Sequence, residues 1–242
     1  MSSGKNRAAK ARQIVADQRA AERRRTVTLW TSIAVVLVLF VAGMIGWTTL
    51  SGQEKDTGTL VTPSVAVDEG TAFAVGTGPV VVDVYEDFLC PACGNFETTS
   101  APALRQLAEA GKITLRFHPV AILDELSKGT EYSTRAAAAS AAAAQEGKFT
   151  EVHDVLYANR PEENTTGLSN EKIIELAASV GVTSDTFTTA VNEGTYKTWA
   201  TKATETFSKR GYTSTPTVLV AGQQIDSPST EVLTEAITKA AG

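Results

Sequence analysis

The chain has 242 residues, a formal net charge of −5 and 43% hydrophobic residues, which is typical of folded globular proteins and excludes a disordered chain. The acidic balance argues against nucleic acid as the main partner of the folded part. The charge is unevenly placed, because residues 1–25 hold eight basic and only two acidic residues.

An uncharged and largely apolar segment follows at residues 26–50. It is long enough to cross a bilayer as a helix, which takes about 20 apolar residues. Trp30 and Trp47 lie near its two ends, where aromatic rings favour the headgroup region. A cleaved signal peptide is the alternative, but its apolar core is normally shorter and ends in a cleavage site of small residues. We therefore expect an uncleaved transmembrane helix at residues 26–50, with the basic head at residues 1–25 in the cytoplasm and the rest outside.

Residues 51–67 are polar and rich in Gly and Thr, which is typical of a linker. Residues 68–242 are enough for one folded domain, which would bury roughly 70% of its unfolded surface without a disulfide staple. The chain has only two cysteines, Cys90 and Cys93. They are therefore available for chemistry.

The central feature of this domain is a strand that leads into the cysteine pair. A valine-rich run at residues 80–85, preceded by a short strand candidate at residues 71–75, predicts a buried strand. The motif Cys90-Pro91-Ala92-Cys93 and helix-compatible sequence follow. A cysteine at a helix N-terminus meets unpaired N–H groups and the positive end of the helix dipole, which favour the thiolate. The pattern indicates a redox-active dithiol, with Pro91 suited to the first helical turn.

The helix after the motif should run from residue 95 to residue 110, with a kink at Pro102 and a stop at Gly111. Alternation of apolar and polar residues at positions 112–118 predicts a half-buried strand. Strand, helix and strand in this order predict a parallel, right-handed pair.

A mainly helical stretch follows. The alanine-rich residues 132–147 have the strongest helix propensity in the chain, although an alanine run can also be disordered. An apolar stripe predicts that the helical character continues at residues 149–156. Three more helices are expected at residues 170–180, with Asn170 as the N-cap, at 184–192 and at 195–209. Strands at residues 216–221 and 223–225 and a helix at residues 229–240 should close the domain.

This arrangement resembles the DsbA-like family, whose α/β thioredoxin-like fold is interrupted by a helical subdomain. The resemblance covers residues 70–242. It rests on residues 87–93 around the cysteine pair, on Phe149 and His153, and on residues 211–217. It implies a DsbA-like domain at residues 68–242 with a helical insertion at about residues 125–209, preceded here by the transmembrane helix.

The resemblance also implies roles for individual residues. Cys90 would be the exposed nucleophile and Cys93 the buried partner that resolves mixed disulfides. Thr215 would contact the substrate, and Pro216 would form a cis-proline loop that faces the cysteines. Ala92 departs from the family pattern, because strong oxidases have histidine there, and we expect a less extreme oxidant.

A second departure concerns a buried acid that related proteins often place six residues before the first cysteine, where it relays a proton. That position is Val84 in this chain. Asp83, Glu86 and Asp87 are nearby, and the sequence leaves open which of them, if any, faces Cys93.

The sequence predicts an extracytoplasmic thiol–disulfide oxidoreductase that donates the Cys90–Cys93 disulfide to exported proteins and needs no other cofactor. A membrane oxidase of the DsbB or vitamin K epoxide reductase type would reoxidise it. The alternatives are a membrane-tethered reductase or isomerase, and a peptide-binding holdase. A structural disulfide is less favoured because so short a loop stabilises little. A zinc site with His118 and His153 is less favoured because their spacing is not that of zinc ligands. Both histidines are expected to be structural.

Overall fold

The structure, a computed structural model, describes residues 59–242. The basic head, the predicted transmembrane segment and the first part of the predicted linker lie outside these residues. Within residues 59–242, no helix combines the length and apolar character needed to cross a bilayer.

The described residues contain a sheet of five strands in the spatial order β1-β3-β2-β4-β5. The strands are, in chain order, β1 (Phe73–Val75), β2 (Val80–Glu86), β3 (Ile113–Pro119), β4 (Thr217–Val220) and β5 (Gln223–Gln224). As predicted, β2 and β3 are parallel, with Val82 opposite Leu115, while the other neighbours pair in antiparallel fashion. β2 is the central strand and is buried along nearly its whole length, which accounts for its valine-rich sequence.

Two helices, α1 (Pro91–Thr99) and α2 (Ala101–Glu109), connect β2 to β3. The prediction of one kinked helix is therefore wrong. Pro102 has no N–H to continue the hydrogen-bond ladder of α1, and it lies in the first turn of α2, where that donor is not needed. Gly111 follows α2 with φ +66°, as predicted for a helix-ending glycine.

A helical insertion separates β3 from β4. It contains a short 3-10 helix (Asp124–Ser127) and the helices α3 (Tyr132–Gln145), α4 (Phe149–Ala158), α5 (Asn170–Ser179), α6 (Asp185–Glu193) and α7 (Lys197–Lys209). The alanine run forms α3, which is buried against α4, α6 and α7. Small side chains let these helices approach closely, so the run is a packing element. A last helix, α8 (Thr230–Ala241), packs on β2 and β4.

One predicted helix cap is wrong. The N-cap of α5 is Ser169, whose hydroxyl accepts a hydrogen bond from the backbone N–H of Lys172 at 3.3 Å. The side-chain oxygen of Asn170 instead accepts from the Arg135 guanidinium at 3.0 Å. Both residues are good caps by type, and a contact from α3 decides between them.

Aromatic side chains join the insertion to the sheet. Phe149 of α4 lies 4.8 Å from the ring of Phe73 in β1 and 5.6 Å from that of Phe117 in β3, measured between ring centroids. Trp199 of α7 packs on Phe73 at 5.1 Å, and its indole N–H donates to the carbonyl of Gly70 at 2.6 Å. These contacts place the start of α4 against β1 and β3 on one face of the sheet.

Candidate active site

Cys90 and Cys93 lie where β2 delivers the chain to α1. Cys90 is the N-cap of that helix, with an extended backbone (φ −68°, ψ 121°), and Pro91 occupies its first turn. Both cysteines are free thiols. Cys90 is 6% exposed, whereas Cys93, one helical turn later, is fully buried. Both are buried residues, so Cys90 is less exposed than the sequence predicted, and of the two only Cys90 keeps any exposed surface.

The two thiols differ in acidity. A hydrogen bond from Cys93 lowers the pKa of Cys90 to about 6, against the opposing effect of burial, and the Thr215 side chain and the N–H groups of Cys93 and Ala92 add to the lowering. Burial raises the pKa of Cys93 well above its ordinary value, and the neighbouring Cys90 and the charge of Glu86 act in the same direction. Near neutral pH, Cys90 is therefore mostly thiolate and Cys93 remains a thiol, which suits one sulfur for attack and the other for uptake of a proton.

The Thr215–Pro216 segment faces the cysteine pair across the site. The peptide bond between Thr215 and Pro216 is cis, and the Cys90 thiol donates to the carbonyl oxygen of Thr215 at 3.3 Å. Pro216 and Ala92 line one open groove of about 600 Å³. The structure thus brings together the motif residues and the loop that the sequence placed more than 120 residues later.

The acidic residues near the motif have separate environments. Val84 is buried in β2, and Asp83, one residue earlier, bonds to an arginine and a histidine of β3 at 2.6 and 2.9 Å. The carboxylate of Asp87 accepts a hydrogen bond from the backbone N–H of Leu89, in the loop before Cys90. Glu86 is the acid whose negative charge raises the pKa of Cys93.

Asp87 holds that loop against the insertion. One carboxylate oxygen accepts from the N–H of Leu89 at 2.8 Å and from the Ser133 hydroxyl of α3 at 2.6 Å, and the other accepts from the N–H of Leu123 at 3.0 Å. Burial raises the pKa of Asp87 to about 6, although these hydrogen bonds oppose the shift. The carboxylate therefore fixes the backbone that leads to Cys90.

Behind the cysteines lies a buried charge cluster on α4 and its neighbours. His153 Nε2 donates to Glu86 Oε1 at 2.6 Å, and both side chains are fully buried. Arg105 pairs with Glu97 at 2.9 Å and with Asp154 at 2.7 Å. Burial alone would lower the pKa of His153, but Glu86 and Glu97 raise it to about 10. His153 is therefore an imidazolium that neutralises buried carboxylates.

The residues that the sequence offered as zinc ligands do not meet. His118 lies in a cluster with Asp83, and His153 in a separate cluster with Glu86, and neither cluster includes a cysteine. Both histidines take part in buried hydrogen bonds to carboxylates, which agrees with their expected structural role.

Sequence reasoning missed Glu97, Arg105 and Arg160. Arg105 and Arg160 reach the site region across 48 and 71 residues of chain, to His153 and to the carbonyl of Leu89. Neither belongs to a motif, and the sequence carries no local signal for such contacts.

The fold and the dithiol geometry define a protein-disulfide oxidoreductase. Residues 68–239 match the family described as Thioredoxin, so the chain belongs to the thioredoxin family, and its solved relatives are DsbA-like. Oxidised DsbA of Mycobacterium tuberculosis, known from a crystal structure, is 33% identical in sequence to this chain. The two structures match with a TM-score of 0.62 over 71% of this chain and 93% of that one. Reduced DsbG of the same organism is 31% identical, with a TM-score of 0.61 over 74% of this chain and 86% of that one.

A curated relative shares part of its length with this chain. The serine/threonine-protein kinase PknE of Mycobacterium tuberculosis is 27% identical over 161 residues, which is 63% of this chain. The chain spans 28% of the length of that kinase. The likeness is therefore confined to one part of the kinase.

Proposed function

We propose that the protein is an extracytoplasmic disulfide donor, which passes the Cys90–Cys93 disulfide to newly exported proteins. The observation that carries this proposal is the unequal pair at the start of α1, in which the thiol of Cys90 is acidic and Cys93 is fully buried behind it. A low pKa makes the sulfur of Cys90 a good leaving group and stabilises the reduced dithiol. Both effects favour giving the disulfide away.

In the proposed reaction, a substrate thiolate attacks Sγ of Cys90 and the bond to Cys93 breaks. The electron pair leaves on Cys93, whose raised pKa favours uptake of a proton. A second substrate thiolate then attacks the substrate sulfur of the mixed disulfide, and Cys90 leaves as a thiolate. The substrate dithiol loses two electrons and gains a disulfide, and the cysteine pair gains both electrons. The reaction needs no further cofactor.

The groove beside the cysteines is the proposed substrate site. It extends from Ala92 and Pro216 to the start of α8 and includes Asn95, Ser229 and Glu231. Its open form and its mixed polar and apolar lining suit an extended, unfolded segment, and Thr215, the residue before Pro216, would contact the residues beside the substrate cysteine.

The proposed location follows from the sequence outside the described residues. The basic head and the apolar segment at residues 26–50 would tether the domain to the outer face of the membrane, where protein disulfides form and persist. The reduced dithiol would then return its two electrons to a membrane oxidase of the DsbB or vitamin K epoxide reductase type.

A tethered reductase or isomerase is the second candidate, and the observation that favours it is that the thiol of Cys90 is less acidic than that of a strong oxidase. The pKa of Cys90, about 6, lies closer to the value of about 7 for thioredoxin, a reductant, than to about 3.5 for DsbA. The geometry of the site serves either direction of electron flow.

Disulfide transfer to a substrate tests the proposal. The oxidised full-length chain in detergent is mixed with a reduced, unfolded protein, and substrate thiols are counted over time. We expect two thiols to disappear per oxidised chain, and none with Cys90→Ser or Cys93→Ser, because neither variant can hold the disulfide that accepts the two electrons. Unchanged substrate thiols, together with reduction of a substrate disulfide by the reduced chain, would contradict a donor. A holdase would prevent aggregation equally well with Cys90→Ser.

A further inference from the structure

Arg160, in the loop after α4, reaches the backbone that leads to Cys90. Its Nη1 atom donates to the carbonyl oxygen of Leu89 at 3.1 Å and to that of Pro161 at 2.8 Å. The N–H on the other side of the Leu89–Cys90 peptide group donates to the carbonyl of Asp87 at 2.9 Å. The peptide that carries Cys90 is thus held on both sides, and Arg160 is the side chain that holds its carbonyl.

The charge of Arg160 has no carboxylate partner within residues 59–242. Arg105, Arg116 and Arg210 each form salt bridges, whereas the side-chain hydrogen bonds of Arg160 go to carbonyl oxygens. Standard bond lengths place its guanidinium within about 10 Å of Cys90 Sγ, which is about one Debye length at 0.1 M salt. Salt therefore does not fully screen this charge from the thiolate.

Gly94 makes room for this arginine on α1. A Cβ atom at Gly94 would lie 3.0 Å from Nε and 3.3 Å from Cδ of Arg160. These distances are tighter than ordinary contacts, so a side chain at position 94 would push the guanidinium away. Because Gly94 has no side chain, it leaves the space beside α1 that the guanidinium of Arg160 occupies.

We propose that Arg160 is a positioning residue for Cys90: its guanidinium fixes the Leu89 carbonyl and supplies the positive charge that favours the Cys90 thiolate. The inference rests on the proposed role of Cys90 as the reacting sulfur. It adds a determinant of thiol acidity that lies in the helical insertion, 70 residues beyond Cys90 and outside the motif.

The expected size of the effect follows from the acidity of Cys90. An opposite charge within about 4–6 Å shifts a pKa by about 1–3 units, and at this larger separation we expect a rise of about one unit when the charge is removed. The pKa of Cys90 is about 6 in the wild type. A rise of about one unit leaves less thiolate to stabilise the reduced form, so the equilibrium constant for reduction of the disulfide at pH 7 falls about fivefold. A fivefold change in the equilibrium constant lowers the reduction potential by about 20 mV.

The test compares four variants of the full-length chain in detergent. Arg160→Gln removes the charge, Arg160→Lys keeps it without the guanidinium, and Gly94→Ala displaces the arginine while favouring the helix. Arg135→Gln is the matched control, because Arg135 also binds loop carbonyls of the insertion, at Thr130 and Leu168. Each is measured for the pH midpoint of Cys90 alkylation by iodoacetamide, for the equilibrium constant with glutathione and for thermal unfolding.

We expect the pH midpoint of Cys90 alkylation in Arg160→Gln to rise by about one unit. The equilibrium constant for reduction of its disulfide by glutathione should fall about fivefold. Arg160→Lys and Gly94→Ala should shift less in the same direction, and Arg135→Gln should match the wild type. A wild-type midpoint in Arg160→Gln, or an equal shift in Arg135→Gln, would overturn the inference. If Arg160→Gln does not fold, Gly94→Ala decides by the same criterion. Failure of the wild type to donate a disulfide would instead contradict the proposed function, since Arg160 is judged only against the wild type.

Discussion

Replacing Glu86 with glutamine should destabilise the protein in a pH-dependent way. Glu86 and His153 are fully buried and share a 2.6 Å hydrogen bond. Glutamine keeps the shape and one acceptor oxygen but removes the charge. His153 then loses the first of the carboxylates that hold its proton, and the imidazolium is left with weaker compensation in a buried site.

The magnitude follows from the acidity of His153. Its pKa is about 10, against 6.5 for an ordinary histidine. At pH 7, the pKa of His153 in the folded protein lies about three units above the pH. This difference corresponds to about 4 kcal/mol of folding free energy at 1.36 kcal/mol per pKa unit. Glu97 and Asp154 continue to act on the ring, and loss of a buried carboxylate removes a desolvation cost. We therefore expect a loss of about 2–3 kcal/mol, or about 5–10 °C in Tm.

The pH dependence has a definite sign. Because the folded-state pKa of His153 is raised, its contribution is fully present below about pH 6.5 and is lost as the pH rises towards about 10. The difference in Tm between wild type and Glu86→Gln, followed by circular dichroism, should thus be largest at pH 6.5 and should shrink by pH 9.5.

Asp154→Asn is the matched control for this experiment. It removes a carboxylate from the other nitrogen of the same ring, 3.0 Å away, but that side chain is 51% exposed, so its effect should be much smaller. Equal Tm values for Glu86→Gln and wild type at every pH, or equal effects of the two variants, would refute the reasoning.

Three further predictions concern the loop and the thiol. In the reduced protein, iodoacetamide should modify Cys90 with a midpoint near pH 6 and leave Cys93 unmodified at neutral pH, and equal labelling by mass spectrometry would be inconsistent with the asymmetry. Thr215→Val removes a hydroxyl that stabilises the thiolate, so the midpoint should rise by up to about one unit; an unchanged midpoint would rule out that contribution. Asp87→Ala leaves three donors without their acceptor, at about 1–3 kcal/mol each. Urea unfolding should show a loss of at least about 3 kcal/mol, and a loss below about 1 kcal/mol would show that water replaces the carboxylate at little cost.

The elements of the fold could be predicted from the sequence because their signals are local. The valine-rich β2, the helix-ending Gly111 and the alanine-rich α3 each follow from propensity and periodicity over a few residues. The break at Pro102 and the cap at Ser169 were mispredicted because either of two neighbouring arrangements satisfies local rules. At Pro102 the missing N–H determines where the helix breaks, and at Ser169 a contact from α3 determines which residue caps α5.

The site could be predicted only in part. The residues that approach the sulfur atoms belong to motifs, namely the pair Cys90 and Cys93 and the segment Thr215–Pro216. Of the charged residues behind them, only His153 was part of the family resemblance, and no motif pairs it with Glu86. Glu86 meets His153 across 67 residues of chain, and both partners are common residue types in helices and strands. Such pairs depend on how α4 packs against the sheet, which no short stretch of sequence specifies.

The reduction potential of the Cys90–Cys93 couple tests the central claim most directly. The full-length protein in detergent would be equilibrated with glutathione buffers, and its oxidised fraction measured by alkylation and mass spectrometry. A disulfide donor should have a potential near or above about −180 mV, towards the value of about −120 mV for DsbA. A potential near about −270 mV, the value for thioredoxin, would contradict the proposed function and assign the site to a reductase.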